Sequence, residues 1–342
     1  MGFAFRKELL KRSFNNYKNE VRTMYPEQRK YKYLFVVMAL LPLVLTGCEA
    51  PLNLENVDKE TAQPVRRTDQ LQAIASNDQV MVVVGSNGLV LTTATGELQW
   101  QRHQLAGQPN LIDVESCPDQ SFIALSFEKQ LWRSNDNGQQ WLPIDLGTQE
   151  NMLDLACAPD GSYWVVGSFS SILSSHDGGA SWNENSLNED AMLSSLQFVT
   201  DQTVYATGEF GMVVRSDDAG ASWNLLEPLP NEFYPQAALF KNRTQGWVAG
   251  LDGVIMHTLD AGQSWQIQKT PVAAPLYGFH LSQTGLYALG ENATVLQEQN
   301  GNWISITSPP VSAYLRAAET VGDQLLVAGG NGTLLALNSK QK

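Results

Sequence analysis

The sequence is poor in the residues that build metal, redox and phosphate sites. It has three cysteines and four histidines, and His103, His176, His257 and His280 lack the spacing of metal ligands. It contains neither a glycine-rich phosphate loop nor a recognisable Ser-His-Asp arrangement. From these absences we predict no metal and no other cofactor, and we expect that the chain is not an enzyme.

Positive charge and long apolar segments are also scarce. The chain has 22 Lys and Arg against 35 Asp and Glu, so its formal net charge is −13. A surface of this sign repels phosphate backbones, and we therefore predict no binding to nucleic acid. The apolar run at residues 34–45 is shorter than an ordinary membrane-spanning helix requires. After residue 50 no convincing helical period is present, which disfavours solenoids of paired helices.

The apolar run has the flanks of an export signal. A basic region precedes it and Leu45-Thr46-Gly47-Cys48 follows it, in the order found in signal peptides of bacterial lipoproteins. In such signals the cysteine becomes the first residue and carries the lipid, so Cys48 is the predicted lipid attachment site. Residues 1–47 are then the signal region, with Met24 as a possible true start. The alternative is a short uncleaved anchor.

Export would change both the charge and the redox state of the protein. Without residues 1–47 the chain keeps 13 basic and 32 acidic residues, a net charge of about −19. Glu49, directly after the cysteine, favours the outer membrane over the inner one, with the protein facing the periplasm. Residues 48–61 are predicted to be a tether and residues 339–342 a tail. An oxidising compartment permits a bond between Cys117 and Cys157, but two buried free thiols are the favoured state.

A repeated turn motif dominates the remaining sequence. The pattern S/T-x-D-x-G-x-S-W occurs three times, and a fourth, looser copy lacks the second hydroxyl. The hydroxyl and carboxylate can accept hydrogen bonds from backbone N–H groups, and the glycine supplies an uncommon backbone angle. We predict a structural role for these Asp boxes, whose defining residues are Ser134, Asp136, Gly138, Trp141, Ser175, Asp177, Gly179, Trp182, Ser216, Asp218, Gly220, Trp223, Thr258, Asp260, Gly262 and Trp265.

The spacing of the boxes determines the fold class. Six tryptophans recur at intervals of 38 to 42 residues: Trp100, Trp141, Trp182, Trp223, Trp265 and Trp303. One unit reads as four short strands at residues 196–199, 203–207, 212–215 and 222–226. Four strands in about 40 residues indicate a β-propeller blade, and such a period defines a repeat architecture. We predict an all-β, seven-bladed β-propeller over residues 62–338, as a monomer.

The last unit poses a problem of closure. Residues 314–338 contain only three predicted strands, and an open blade would expose a sheet edge. We expect residues 62–68 to supply the fourth, outer strand of the last blade. Pro64 suits an edge strand because it has no N–H group to pair.

Two sets of aligned positions are candidate binding residues. Each of the seven units has a marker residue that ends a short β-rich run: Gly85, Ser126, Gly167, Gly208, Gly250, Gly290 and Gly329. Counting thirteen residues back from each marker gives a set that includes Asp113, Asp154 and Arg316, which we expect to line the central channel. A small cation or polar ligand site and a solvated channel lining are the alternatives. The second set lies at the turn between the second and third strands. There Phe127, Phe169 and Phe210 either form a protein contact surface or fold inward over the blades.

The tandem boxes, the seven units and the export signal together resemble the photosystem II stability/assembly factor family of propellers. The pattern V-x-G-x-x-G-x-[IVL]-x-x-[ST]-x-D-x-G-x-[ST]-W is present at residues 166–182, with Ser170 and Ser171 in place of the second glycine. Copies without the valine stand at residues 207–223 and 249–265. The resemblance implies an assembly factor that binds protein at a membrane complex. The family's arginine-bearing binding face has few candidates in this chain.

Asp boxes also occur in sialidases, which makes a carbohydrate-binding or glycan-processing propeller the alternative function. That function would require an arginine cluster, a Tyr–Glu pair and an F/Y-R-I-P-like strand, and no such strand is present. A convergent Arg, Tyr and Glu pocket at the channel mouth would favour the alternative. A flat apolar patch at the turns between second and third strands would favour the protein-binding function.

Overall fold

The structure, a computed structural model, describes residues 54–338. Seven antiparallel sheets follow one another along the chain, which confirms the predicted seven-bladed β-propeller. The predicted signal region, Cys48 and the tail lie outside the described residues. Within residues 54–338 no helix is long and apolar enough to cross a membrane.

Six blades have four strands each and the seventh has three. The strands of blades one to three are β1 Leu71–Ser76, β2 Val80–Gly85, β3 Leu89–Ala94, β4 Gln101–Gln104, β5 Leu111–Ser116, β6 Phe122–Ser126, β7 Gln130–Ser134, β8 Leu142–Asp145, β9 Met152–Cys157, β10 Tyr163–Gly167, β11 Ser171–Ser175 and β12 Asn183–Ser186. Those of blades four to seven are β13 Leu193–Phe198, β14 Val204–Gly208, β15 Val213–Ser216, β16 Asn224–Leu225, β17 Pro235–Phe240, β18 Gly246–Gly250, β19 Ile255–Thr258, β20 Gln266–Gln268, β21 Leu276–Ser282, β22 Gly285–Gly290, β23 Val295–Gln299, β24 Asn302–Ser305, β25 Leu315–Val321, β26 Gln324–Gly329 and β27 Leu334–Asn338.

The first strand of every blade is innermost. Each contacts the first strand of the next blade, and β25 of the last blade contacts β1, which closes the ring around a channel. The second strands are buried almost throughout, because both their faces pack against neighbouring blades. The hydrophobic core is consequently divided into clusters that lie between adjacent blades, as with Val84 of blade one and Phe122 of blade two.

The junction between blades seven and one differs from the prediction. Within the described residues the seventh sheet has three strands, so the expected outer strand at residues 62–68 is wrong. A short helix, α1 Glu55–Thr61, is followed by turns instead. The backbone N–H of Arg66 donates to Asp69 Oδ2 at 2.8 Å, and Gly332 N–H donates to the Asp69 carbonyl at 2.8 Å. The segment therefore crosses the turn between β26 and β27 rather than running beside β27.

An ion pair fixes that segment in its bent form. The Arg102 guanidinium donates to both carboxylate oxygens of Asp69, at 2.8 and 3.0 Å, and to the Pro64 carbonyl at 3.0 Å. Val65 packs against the core shared by blades seven and one. These contacts hold the segment in place although it forms no strand. A prediction based on counting strands could therefore not identify this arrangement.

All four Asp boxes form the same hydrogen-bonded turn. In the third blade, Ser175 Oγ donates to Asp177 Oδ1 at 2.8 Å and accepts from Gly179 N–H at 2.8 Å. The carboxylate also accepts from Ser181 N–H at 2.9 Å and from Ser181 Oγ at 2.6 Å. The boxes of blades two, four and five repeat the first three of these bonds.

Asp177→Ala should lower the melting temperature more than Asp136→Ala. Asp177 accepts three hydrogen bonds, whereas Asp136 accepts two because Gln140 replaces the second hydroxyl residue. The bonds from Ser181 lower the pKa of Asp177 from 3.8 to about 2, so its stabilising effect is full above pH 3.8 and is lost as the pH falls from that value through about 2. Thermal unfolding of the two variants at neutral pH measures the difference, and equal losses would contradict the structural role.

The two cysteines are joined, so the favoured expectation of free thiols is wrong. Cys117 follows β5 and Cys157 ends β9, and their Cα atoms are 5.3 Å apart in a disulfide that closes a sequence separation of 40 residues. Equivalent ends of neighbouring innermost strands lie side by side around the channel. The repeat spacing therefore brought the cysteines together, and their separation suits a disulfide.

Candidate functional site

The two faces of the propeller carry different turns. The tip face holds the turns between the second and third strands, and the box face holds the Asp boxes and the turns between the first and second strands. The disulfide and the box aspartates lie on the box face. The candidate partner residues Phe127, Phe169 and Phe210 lie on the tip face.

A cavity of about 420 Å³ opens at the centre of the tip face, and we call it the mouth. Every first strand pairs with its second strand with a register shift at its second residue, as expected of a β-bulge. All seven shifted residues line the mouth: Gln72, Ile112, Leu153, Ser194, Gln236, Tyr277 and Arg316. Bulges commonly redirect side chains, and here they point one residue of each blade at the same space.

The thirteen-residue count reaches the mouth-lining bulge residue in three blades and stops one residue short of it in the other four. In blades two to five, the first residue of the first strand pairs with a marker residue that lies fifteen positions later in the sequence. In blades one, six and seven the difference is fourteen positions. A fixed count of thirteen therefore reaches Arg316, which does line the mouth. In blades two and three it stops one residue short of Ile112 and Leu153, at Asp113 and Asp154, which do not line the mouth.

Asp113 and Asp154 instead connect neighbouring blades. Asp113 Oδ2 accepts from the Leu155 N–H of blade three at 3.3 Å, and Asp154 Oδ2 accepts from the Leu196 N–H of blade four at 2.6 Å. Burial raises the pKa of both groups, and the charge of Asp113 raises the pKa of Asp154 further.

Glu115 completes an acidic group in the wall of the channel. Burial, and secondarily the charge of Asp113, raises the pKa of Glu115 from its ordinary value of 4.5 to about 8. The side chain of Glu115 lies among the innermost strands but is exposed to solvent in the channel. That exposure moderates the energetic effect of the shift.

The free energy of unfolding should therefore fall as the pH rises from about 5 to about 8. Groups with a raised pKa bind protons more tightly in the folded state, so their contribution is full at low pH and is lost as each ionises. Glu115→Gln and Asp154→Asn should flatten the dependence, and Glu97→Gln on the exposed box face should not. Denaturant unfolding across this pH range measures it, and a slope unchanged by both variants would refute the assignment.

Blades six, seven and one give the mouth a polar side. Tyr277 OH donates to Glu291 Oε2 at 3.2 Å, and Arg316 Nη1 donates to Gln72 Oε1 at 3.4 Å. Tyr314 OH accepts from Gln72 Nε2 at 2.9 Å. Burial and the Glu291 carboxylate raise the pKa of Tyr277, so its phenol remains a hydrogen-bond donor. The thirteen-residue count reaches Tyr277 as well as Arg316, whereas Tyr314, two residues before Arg316, was not singled out from the sequence.

Blades two to four give the tip face an apolar side. Phe127, Phe169 and Phe210 are 56%, 56% and 60% exposed, and we call them the aromatic rim. Phe127 also lines the mouth, beside Ile112 and Leu153. Of the two sequence alternatives, the inward-folded one is thus ruled out for all three rings. Leu251, 52% exposed on the turn of blade five, extends the patch and was not singled out from the sequence.

The described residues offer no metal site. Residues 54–338 contain no group of three or more His, Cys, Asp or Glu side chains arranged to hold a metal ion. The chemistry available at the mouth is therefore apolar burial, hydrogen bonding and the charges of Arg316 and Glu291.

Comparisons with known proteins agree with this architecture. The family model of photosynthesis system II assembly factor YCF48 matches residues 133–308, just over half of the chain. YCF48 from Cyanidioschyzon merolae is similar at a TM-score of 0.65 and 16% identity, over 81% of this chain and 97% of that one. YCF48 bound to D1 peptide gives 0.66 and 15%, over 79% and 93%. No curated protein matches the sequence.

Enzymes share the fold as well. Catalytically inactive virginiamycin B lyase from Staphylococcus aureus with quinupristin has a TM-score of 0.69 at 12% identity, over 80% of this chain and 96% of that one. The expectation that the chain is not an enzyme, which was based on the absence of catalytic motifs, is contradicted by these neighbours, which are enzymes with the same fold. An identity this low shows the fold alone, and a fold does not fix a function.

Proposed function

The chain belongs to the photosynthesis system II assembly factor YCF48 family, and from that membership we propose that it is a protein-binding propeller that acts in the assembly or stability of a membrane or envelope complex. Its partner binds at the tip face, across the mouth and the aromatic rim. A lipid on Cys48 anchors the protein at the outer membrane, facing the periplasm.

The exposure of the aromatic rim is the observation that supports this proposal. Three phenylalanines on three consecutive blades lie on turns at one face, and each is more than half exposed. Large aromatic side chains are favoured as anchors in protein interfaces, and an exposed cluster of them is unusual on a surface without a partner. The relative solved with a bound peptide has the same fold, which is consistent with a peptide partner here.

Affinity capture tests the proposal. The full-length protein would be crosslinked in its native membranes, purified and read by mass spectrometry, with Cys48→Ser as the control for anchoring. One enriched membrane complex, together with release of the Cys48→Ser protein from the membrane, would support the proposal. Recovery of glycan or cell-wall material without an enriched protein would overturn it.

One observation favours a second candidate function in the same mouth. Tyr277 and Glu291 form the hydrogen-bonded Tyr–Glu pair that a glycan-processing propeller requires, and Arg316 also lines the cavity. The mouth has one arginine where such a site would need a cluster to grip a carboxylate. Glycan binding to the wild type that Glu291→Gln abolishes would establish this candidate instead.

A further inference from the structure

The tip face carries a concentration of negative charge around the aromatic rim. Six acidic side chains lie on its turns or on segments packed against them, and we call them the acidic collar: Glu128, Glu189, Glu209, Glu232, Asp252 and Glu291. Glu209, Asp252 and Glu291 belong to the turns that follow the second strands. Glu189 lies against the turn of blade three, where its N–H donates to Ser170 Oγ at 3.1 Å.

These carboxylates are not neutralised by the protein itself. No ion pair within the described part of the chain involves any member of the collar. On the box face the arrangement is the opposite, since Arg133 pairs with Asp119 at 3.2 Å and Arg215 pairs with Asp217 at 2.6 Å. The two faces therefore differ in the way their charges are balanced.

Half of the collar makes no side-chain hydrogen bond that would explain its charge. The Glu209 carboxylate accepts from Met192 N–H at 2.9 Å, Glu128 binds Asn110, and Glu291 accepts from Tyr277. The carboxylates of Glu189, Glu232 and Asp252 make no side-chain hydrogen bond in the structure and lie exposed. Solvent-exposed charges near an apolar contact surface act mainly on the rate of encounter and on the choice of partner.

We infer that the tip face recognises a positively charged, extended protein segment whose apolar side chains contact the aromatic rim while its Lys or Arg side chains face the acidic collar. This inference rests on the proposed function and adds the chemistry of the partner. An acidic segment would meet like charge on blades two to six, although the tip face also carries Lys129, Lys269 and, at the far side of the mouth, Arg316. A segment without apolar residues would leave the rim exposed.

Short fluorescein-labelled peptides test the inference by fluorescence anisotropy with the purified propeller. One peptide alternates lysine with leucine or phenylalanine, a second has glutamate in place of lysine, and a third has lysine with serine. We expect only the first to bind tightly, and its affinity should fall several-fold from low to high salt because exposed charges are screened.

Matched charge variants separate the collar from the overall negative charge of the protein. Glu189→Gln, Glu232→Gln and Asp252→Asn together should weaken the first peptide about tenfold, since three exposed pairs are lost. Asp78→Asn, Glu97→Gln and Asp201→Asn remove the same charge from the box face and should change the affinity less than about twofold. Equal effects of the two triple variants would overturn the inference.

The outcomes also distinguish this inference from the proposed function. Equal binding of the lysine and glutamate peptides, lost in Phe169→Asn/Phe210→Asn, would contradict the charge inference and leave the tip-face site intact. Peptide binding that survives loss of both phenylalanines would contradict the site itself.

Discussion

Replacing Phe169 and Phe210 together with asparagine is expected to weaken partner capture at least about thirtyfold. A buried aromatic anchor commonly contributes about 2 kcal/mol to a protein interface, which corresponds to that factor for one residue alone. Both rings are more than half exposed in the free protein, so a partner that buries them removes their apolar surface from water, which favours binding. Captured partner relative to bait, measured by quantitative mass spectrometry, gives the effect.

The same substitutions should leave the fold unharmed. Phe169 and Phe210 have φ angles of 52° and 57°, in the left-handed region that asparagine tolerates better than phenylalanine. Asparagine already stands at the corresponding turns of other blades, at Asn87, Asn292 and Asn331, with φ angles of 56° to 59°. We therefore expect an unchanged or slightly raised melting temperature.

Leu259→Asn is the matched control for this experiment. Leu259 is 66% exposed within the Asp box of blade five, on the opposite face. Its replacement removes a comparable exposed apolar group and should leave capture intact. Full capture by the double phenylalanine variant would show that the rim is not the binding surface, and a collapse in melting temperature would show that the rings support the fold.

Removing the disulfide should have the largest effect on stability. Replacing Cys117 and Cys157 by serine frees a loop of 40 residues in sequence separation, and crosslinks over loops of this size stabilise proteins by about 2–4 kcal/mol. Blades two and three are otherwise joined by apolar packing and by the bond from Asp113 to Leu155. We expect the melting temperature to fall by about 5–10 °C.

Reduction of the wild type provides the control. The wild-type protein treated with a thiol reductant should melt at the temperature of the double serine variant, and the reductant should not affect the variant. Full stability of both the variant and the reduced protein would contradict the stabilising role of the bond. The variant should still bind its partner below its melting temperature, because the bond lies on the box face.

Repetition made the fold predictable from the sequence. The seven marker positions predicted the number of blades, and the recurring boxes predicted a repeated local turn, such as the one that Ser175 and Asp177 form in blade three. The closure of the ring was not predictable in the same way. The last blade has three strands among the described residues, and the segment that crosses its turn is held in part by the ion pair between Arg102 and Asp69.

The candidate site was only partly predictable for a related reason. The aromatic rim could be identified because phenylalanine at a left-handed turn position departs from the asparagine and aspartate of the other blades. The mouth could not be derived by a fixed count, because blades two to five have one more residue between bulge and marker, which shifts the alignment from Leu153 to Asp154. Equal spacing placed Cys117 and Cys157 at equivalent positions of neighbouring units, but it did not establish that the two residues lie close enough in space to form a disulfide.

Site-specific photocrosslinking in cells tests the central claim most directly. A photoreactive amino acid at Leu251, on the tip face, should form one discrete adduct with a membrane or envelope protein, and the same probe at Leu259, on the box face, should form none. An adduct from Leu259 without one from Leu251 would contradict the assignment of the tip face as the binding surface.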